Sequence, residues 1–356
     1  MEVNESKLNE LLAKLVGDLG AAAGAALVVI GDKLGLFRGI AEAGSVTSTE
    51  LAKRTGCAER YVREWLAQQA AAGYIEYHAS EHDASAGRYS MTPEQQLAFV
   101  VEGSPACVLG AFEVVGSIHR DEVKITEAFR SGRGVAWHEH DVALFRGTER
   151  FFRPAYAAHL VNEWLPALDG VREKLERGAR VADVGCGHGA STILMAKAFP
   201  KSQFVGFDYH QPSLDHATAA AREAGVSANT RFERAVAKDY PGTYDLVAFF
   251  DCLHDMGDPA GASAHVRQSL TPDGTWMIVE PMAGDTVAEN MHPIGRFCYA
   301  ASTMICTPAS MAQEGQAALG TQAGEKKLRE VIGAGGFTRI RRAAATVFNM
   351  VLEARP

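Results

Sequence analysis

The stretch RVADVGCGHGASTILMAK, Arg180 to Lys197, reads as an apolar strand, then glycines at alternate positions (Gly185, Gly187 and Gly189), then a helix. Glycine at a strand-to-helix reversal lets the backbone approach a ligand with no side chain in the way. Two ligand classes use such a turn. A dinucleotide asks for GxGxxG, with amides at the helix N-terminus holding a pyrophosphate. Here the third glycine comes one residue early. Asp183 also stands two residues before the first glycine, where a carboxylate repels phosphate and attracts an ammonium group.

Nineteen residues past Gly189, Asp208 closes a second apolar stretch, SQFVGFDY, and can accept both hydroxyls of a ribose. Tyr209 beside it offers a ring to an adenine face. A cationic amino-acid end, a ribose and an adenine together describe S-adenosyl-L-methionine, with S-adenosyl-L-homocysteine as the demethylated product. A glycine turn that holds no nucleotide is the plainer alternative.

Working outward, apolar strands alternate with helices: ARVADVG, SQFVGFDY, YDLVAFFD, TWMIVEP, and finally FTRIRRA with TVFNMVLEA. The alternation predicts a doubly wound, Rossmann-like α/β sheet covered on both faces, with an antiparallel strand at its C-terminal end. The domain boundary falls near Pro166 to Gly178, which separates 1–165 from 166–356. Upstream, Leu8 to Ile40 shows helical spacing interrupted by Gly31, Gly35 and Gly39, as for two or three packed helices. Thr47 or Ser48 then caps a short helix from Thr49, Gly56 ends it, and Glu59 opens a longer one. GYIEYH and GRYSMTP alternate like a hairpin around ASEHDASA, which completes a winged-helix pattern. Residues 94 to 165 are expected to be helical.

The chain has 356 residues, 47% of them hydrophobic, and a formal net charge of -8, which argues against nucleic acid or an anionic membrane as main partner. Within the winged-helix stretch, Lys53, Arg54, Arg60, Arg63 and Arg88 are balanced by Glu50, Glu59, Glu64, Glu76, Glu81 and Asp83. A groove-reading helix needs a positive surplus. The six cysteines are scattered and read as reduced thiols. MEVNESKLNE lacks a secretory pattern, and the run AAAGAALVVI is too short to span a bilayer, so a cytoplasmic protein is expected. His78, His82, His138, His140 and His292 are read as surface or packing residues, and the spacing gives no metal site.

These residues resemble the class I S-adenosylmethionine-dependent methyltransferases, whose first motif has the form of VADVGCGHG. The N-terminal half looks like the winged-helix dimerisation domain of two-domain small-molecule O-methyltransferases. GTERFFRPAY is similar to their segment before the catalytic domain, and YDLVAFFDCLHDMGDP matches their fourth-strand motif without a gap. The resemblance implies a seven-stranded catalytic sheet, a homodimer formed through the N-terminal domain, and a small-molecule methyl acceptor. The methionine end of the donor falls to Asp183, Gly185 and Gly187, the nucleoside to Asp208, Tyr209, Ala237 and Lys238, with Phe250 and Asp251 alongside.

Methyl transfer requires a positioned acceptor and somewhere for its proton to go. A histidine at the carboxyl edge of the sheet suits that task. His254 occupies the position of the catalytic histidine of the family's HDW motif, and Glu280, ending IVEP, matches a carboxylate that orients it. Four positions depart from the pattern. The second bracing carboxylate falls on Gln322, the acid that meets adenine falls on Val236, which leaves backbone near Ala237 and Lys238, or Asp239, and Met256 and Phe250 replace the tryptophan and lysine of the plant motif. Substrate contacts are expected from Tyr156, with a free hydroxyl, and from His159, Asp255, Met291, Phe297 and Met304, while Phe152 and Trp164 share the segment that closes over the donor. The rival readings are an N- or C-methyltransferase acting by proximity, and a winged-helix regulator that senses the cofactor.

Overall fold

The computed structural model describes residues 3–80 and 87–356, so the surface expectation for His82, and the charges of Glu81 and Asp83, lie outside the described residues. Residues 1–116 with 146–154 form one compact unit. Helices Glu5–Lys33 and Leu36–Ala43 cover the stretch expected to hold two or three, and of its three glycines Gly35 alone breaks the chain. Gly31 lies inside the first helix because a Cβ there would collide with the Trp65 ring, whose indole N–H donates to the Leu27 carbonyl at 2.8 Å. Close packing, not a turn, explains that glycine.

Thr47 and Glu50 form a reciprocal cap on helix Ser48–Thr55, one residue earlier than expected, and helix Glu59–Ala71 follows. Strands β1 (Ser45–Val46), β2 (Glu76–His78) and β3 (Arg88–Ser90) pair in the order β1-β3-β2 as the wing. At two residues, β1 is too short to show alternation in the sequence. Phe37 anchors this core, stacked on Phe99 and edge-on to Trp65, with both centroid distances 4.9 Å.

Run length underestimated the first helix. Glu5–Lys33 has a mean hydropathy of 1.7 over an 18-residue window that is 17% buried, long and apolar enough by length and composition to cross a membrane. Leu8, Leu11, Leu12, Leu15, Val16 and Leu19 lie exposed along it.

Residues 117–145 with 155–356 form the second compact unit, so the cut expected after residue 165 falls inside it. Strands β4 (Arg180–Val184), β5 (Gln203–Asp208), β6 (Thr230–Arg234), β7 (Tyr244–Phe250), β8 (Leu270–Pro281), β9 (Arg339–Ala345) and β10 (Asn349–Arg355) build one sheet in the order β6-β5-β4-β7-β8-β10-β9. β4 to β8 run parallel, and β10 is antiparallel to β8 and β9. The inner strands read as continuous apolar runs because both faces are covered: all of β7 but Asp245 is buried. Edge strand β6, TRFER, carries alternate charged residues and has no fully buried position, which is why sequence pattern did not mark it. Neighbouring parallel strands end together, so the C-terminal ends of β4, β5, β7 and β8 gather the expected site residues on one edge.

Candidate functional site

The turn after β4 passes Gly185 and Gly187 in left-handed conformation, at φ 73° and 50°. A Cβ on Gly185 would stand 2.8 Å from Cys252 Sγ, whereas one on Gly187 would meet nothing. The first glycine therefore permits packing, and the second leaves room for a ligand.

Asp183, on β4, is 1% exposed. Its Oδ2 accepts from the hydroxyls of Ser191 and Thr192, each at 2.6 Å, while Oδ1 is buried with no hydrogen-bond partner. Burial pushes its carboxyl up to about 6, against the two hydroxyls and with help from the Asp208 charge. A buried carboxylate oxygen without a donor is costly, so it suits a ligand that brings a cationic donor. Asp208 Oδ2 accepts from the Gly187 amide at 3.0 Å and Oδ1 from the His210 amide at 2.8 Å. Each oxygen keeps a second lone pair for a hydroxyl. Tyr209 is half-buried, with the His138 ring 6.2 Å away. Beyond β6, Ala237 is half-buried, Val236 and Asp239 are exposed, and the Lys238 ammonium pairs with Asp258 at 3.3 Å and Glu314 at 3.2 Å.

At the end of β7, Asp251 holds φ 50°, unusual for a residue other than glycine. Its Oδ2 accepts the Tyr156 hydroxyl at 2.6 Å and its Oδ1 the Asn349 amide at 2.7 Å. The Tyr156 hydroxyl, expected to be free, is thus committed to this carboxylate, and its ring packs 5.3 Å from Phe250. Burial raises Asp251 to about 7, opposed first by the Tyr156 hydrogen bond.

His254 follows in the turn Leu253–Asp255 and is 3% exposed. Its Nδ1–H donates to Glu280 Oε2 at 2.6 Å, and Glu280 Oε1 accepts the Leu253 amide at 2.9 Å. Glu280, expected to orient the imidazole, thus lies within hydrogen-bond reach of it. Gln322 is not the second brace, since its amide donates to the Thr321 carbonyl. Instead Asp255 Oδ1 lies 3.2 Å from His254 Nε2, without an aligned hydrogen bond. Burial alone would lower the imidazole pKa, but Glu280 and Asp255 together hold it well above its ordinary value.

The remaining expected contacts differ in exposure. His159 Nδ1 lies 3.0 Å from Glu163, and its ring is stacked near Trp164. Met291 is 66% exposed. Phe297, on helix Pro293–Ala301, and Met304, in the π-helical turn Ser302–Cys306, are half-buried. Sequence reasoning missed Ser191, Thr192, Asn349 and Cys306. The first two were legible, since hydroxyls open the helix directly after the glycine turn. The other two reach the site only through the fold.

Residues 175–332 match the family described as methyltransferase domain, and residues 22–100 the Rv2258c-like winged HTH domain. The chain is 34% identical over 132 residues to the ubiquinone biosynthesis O-methyltransferase of Bordetella parapertussis, an overlap covering 36% of this chain and 52% of that protein. It spans about half, or less, of the first curated relatives it matches. Among solved structures, the mitomycin 7-O-methyltransferase MmcR superposes with a TM-score of 0.70 at 18% identity, covering 99% of this chain and 100% of that one. Human N-acetylserotonin methyltransferase in complex with SAM superposes with a TM-score of 0.71 at 16% identity, covering 100% and 99%. The fold is that of class I methyltransferases, preceded by a winged helix.

Proposed function

We propose that this chain, in which a winged helix-turn-helix domain precedes a methyltransferase domain, transfers a methyl group from S-adenosyl-L-methionine to a small-molecule acceptor, at a phenolic oxygen. The observation that carries the reading is the unpaired, buried Oδ1 of Asp183 on the strand that leads into the glycine turn, together with the open space at Gly187 within that turn. That pair fits an ammonium group at close backbone approach and disfavours phosphate. Asp183, Gly185 and Gly187 would hold the amino-acid end, Asp208 the ribose, Tyr209 with the backbone of Ala237 and Lys238 the adenine, and Phe250 and Asp251 the wall between. When bound, the donor supplies an electrophilic methyl group and a neutral sulfide as leaving group.

The chain's own work is to place the acceptor and take its proton. His254, with Nδ1–H committed to Glu280 at 2.6 Å, is the general base once its imidazolium, favoured by Glu280 and Asp255, has given up the Nε2 proton and so freed that lone pair for the acceptor. Glu280 stabilises the imidazolium that forms. Tyr156, His159, Asp255, Met291, Phe297 and Met304 are the acceptor-side residues, with Tyr156 acting through Asp251. An N- or C-acceptor methylated by proximity draws support from one feature, the closeness of Asp255 to the same Nε2.

The N-terminal unit is assigned to homodimerisation, since the exposed leucines of its first helix need cover. Three of the basic residues that could read DNA are neutralised within the unit: Arg60 pairs with Glu64, Arg63 with Glu59 and Arg88 with Glu50, which supports dimerisation over reading DNA. The protein is assigned to the cytoplasm.

Calorimetric titration with S-adenosyl-L-homocysteine and, separately, with a nicotinamide dinucleotide tests the cofactor. Heat with the dinucleotide alone overturns the reading. With labelled methyl donor and a panel of phenols and amines, His254→Ala should retain product affinity and lose about 10²–10⁴-fold in turnover. Retained turnover would transfer the assignment to proximity catalysis.

A further inference from the structure

His254, Asp255 and Cys306 each bring one donor atom to within 4.8 Å of the others. We propose that these three side chains form a binding site for a zinc-like divalent cation, with the fourth coordination position open. Imidazole, thiolate and carboxylate together suit a borderline-soft ion and disfavour magnesium or calcium, which take oxygen ligands. A ligating histidine normally gives its other ring N–H to a carboxylate, and His254 does so, to Glu280 at 2.6 Å. The atom facing Nε2 is Asp255 Oδ1 at 3.2 Å, a buried oxygen without an aligned hydrogen bond, and the Cys306 thiol reaches both this carboxyl and the imidazole, so the three donors already converge on one point. Cys306 is buried and closes the π-helical turn Ser302–Cys306, a local change of helical register that recurs at functional sites.

The charges balance. The ion displaces the thiol proton of Cys306 and the Nε2 proton of the imidazolium to solvent, and thiolate plus the Asp255 carboxylate neutralise a divalent cation. A metal bond to Nε2 uses the lone pair that would accept the substrate's proton. This second consequence rests on the proposed base role of His254: occupancy by zinc silences turnover.

The test is competition for Zn²⁺ against a chromogenic chelator, with one ion expected per chain and no displacement by excess Mg²⁺. Cys306→Ser and Asp255→Asn should each weaken binding by roughly 100-fold or more, and Glu280→Gln, which acts on the ion only through the histidine, by about 10–100-fold. Cys57→Ser should leave binding unchanged. Retained affinity for S-adenosyl-L-homocysteine serves as the folding control, and if one variant fails it the other carries the comparison. Wild-type protein that binds no zinc, or ligand variants that bind as tightly as wild type, overturn the site. Zinc should also inhibit wild-type methyl transfer and spare Cys306→Ser, and inhibition that persists in Cys306→Ser overturns the mechanism of silencing. His254→Ala with full turnover would instead overturn the base assignment and leave the binding result standing.

Discussion

Replacing Asp183 with asparagine should make the protein more stable and a poorer binder of its cofactor. Burial raises this carboxyl from 3.8 to about 6. A raised folded-state value means that the native state holds the proton more tightly than the unfolded chain. The resulting stabilisation is complete below 3.8 and is lost as pH rises through about 6, so at pH 7.5 the ionised carboxylate is a burden on the apo-protein. At 1.36 kcal/mol per pH unit the burden is at most about 3 kcal/mol. Asparagine is neutral at every pH, and the hydroxyls of Ser191 and Thr192 can turn to accept from its amide. Urea unfolding of the apo-variant at pH 7.5 should therefore show equal or higher stability than wild type, with the gain gone near pH 4. Binding runs the other way. Losing a charge-assisted hydrogen bond of about 1.5–3 kcal/mol weakens S-adenosyl-L-homocysteine by roughly 10–150-fold. In wild type, affinity should fall about tenfold from pH 7 to pH 5 as Asp183 protonates, and in Asp183→Asn that component should vanish. Because Asp251, raised to about 7, titrates nearby, the difference between the two proteins is the diagnostic quantity. Calorimetry showing the same affinity and the same pH slope in both proteins would refute the assignment of Asp183 to the ammonium group.

Three further outcomes separate packing from binding. Gly187→Ala forces an L-residue to φ 50° and fills space that is open, so it should cost about 1–2 kcal/mol of stability and clearly weaken cofactor binding, whereas Gly185→Ala, meeting Cys252 Sγ at 2.8 Å, should cost more in stability. The reverse order in urea unfolding would contradict this. Tyr156→Phe should destabilise by about 1.5–3 kcal/mol at pH 8, where Asp251 is ionised, and by less at pH 5.5, where the protonated acid can donate to the unpaired Asn349 Oδ1. A loss independent of pH would count against the bond. In the N-terminal unit, Arg150 links Asp32, Glu102 and the buried Glu113, and Arg150→Met should cost about 3 kcal/mol or more because it leaves carboxylates facing one another. Unfolding of the variant at wild-type denaturant concentration would show that the network is idle.

The second unit was legible wherever a strand is covered on both faces. β4, β5, β7 and β8 had to be apolar throughout, and their polar ends, Asp208, Asp251 and Glu280, announced themselves by interrupting such runs. β6 was not legible because one side of it is the sheet edge. The glycine turn was readable because the spacing of glycines reports backbone conformation directly, and Ser191 and Thr192 lay in the same stretch. Residues brought in by the fold were not. Asn349 lies 98 positions from the Asp251 carboxylate it holds, and Tyr156 lies 95 from the same group. Gly31 shows the converse error, since a glycine beneath a tryptophan and a glycine at a helix break look alike in one dimension.

What unites the site is crowding of negative charge. Asp183, Asp208, Asp251, Asp255 and Glu280 stand on one edge of one sheet, and burial raises Asp183, Asp208, Asp251 and Asp255 above their ordinary range, with Asp208 acting on Asp183 and Glu280 on Asp251 and Asp255. A fold stabilised only for itself would not keep such a cluster, because apolar residues of similar volume would cost less. The cluster instead stores free energy that a cationic ligand releases, and it excludes phosphate esters that the same glycine turn would otherwise admit. Selectivity between a sulfonium amino acid and a dinucleotide is then set by the charge surrounding the turn more than by the glycines themselves. Asp183→Asn with Asp251→Asn, which leaves every glycine in place, should narrow the affinity gap between the two ligands.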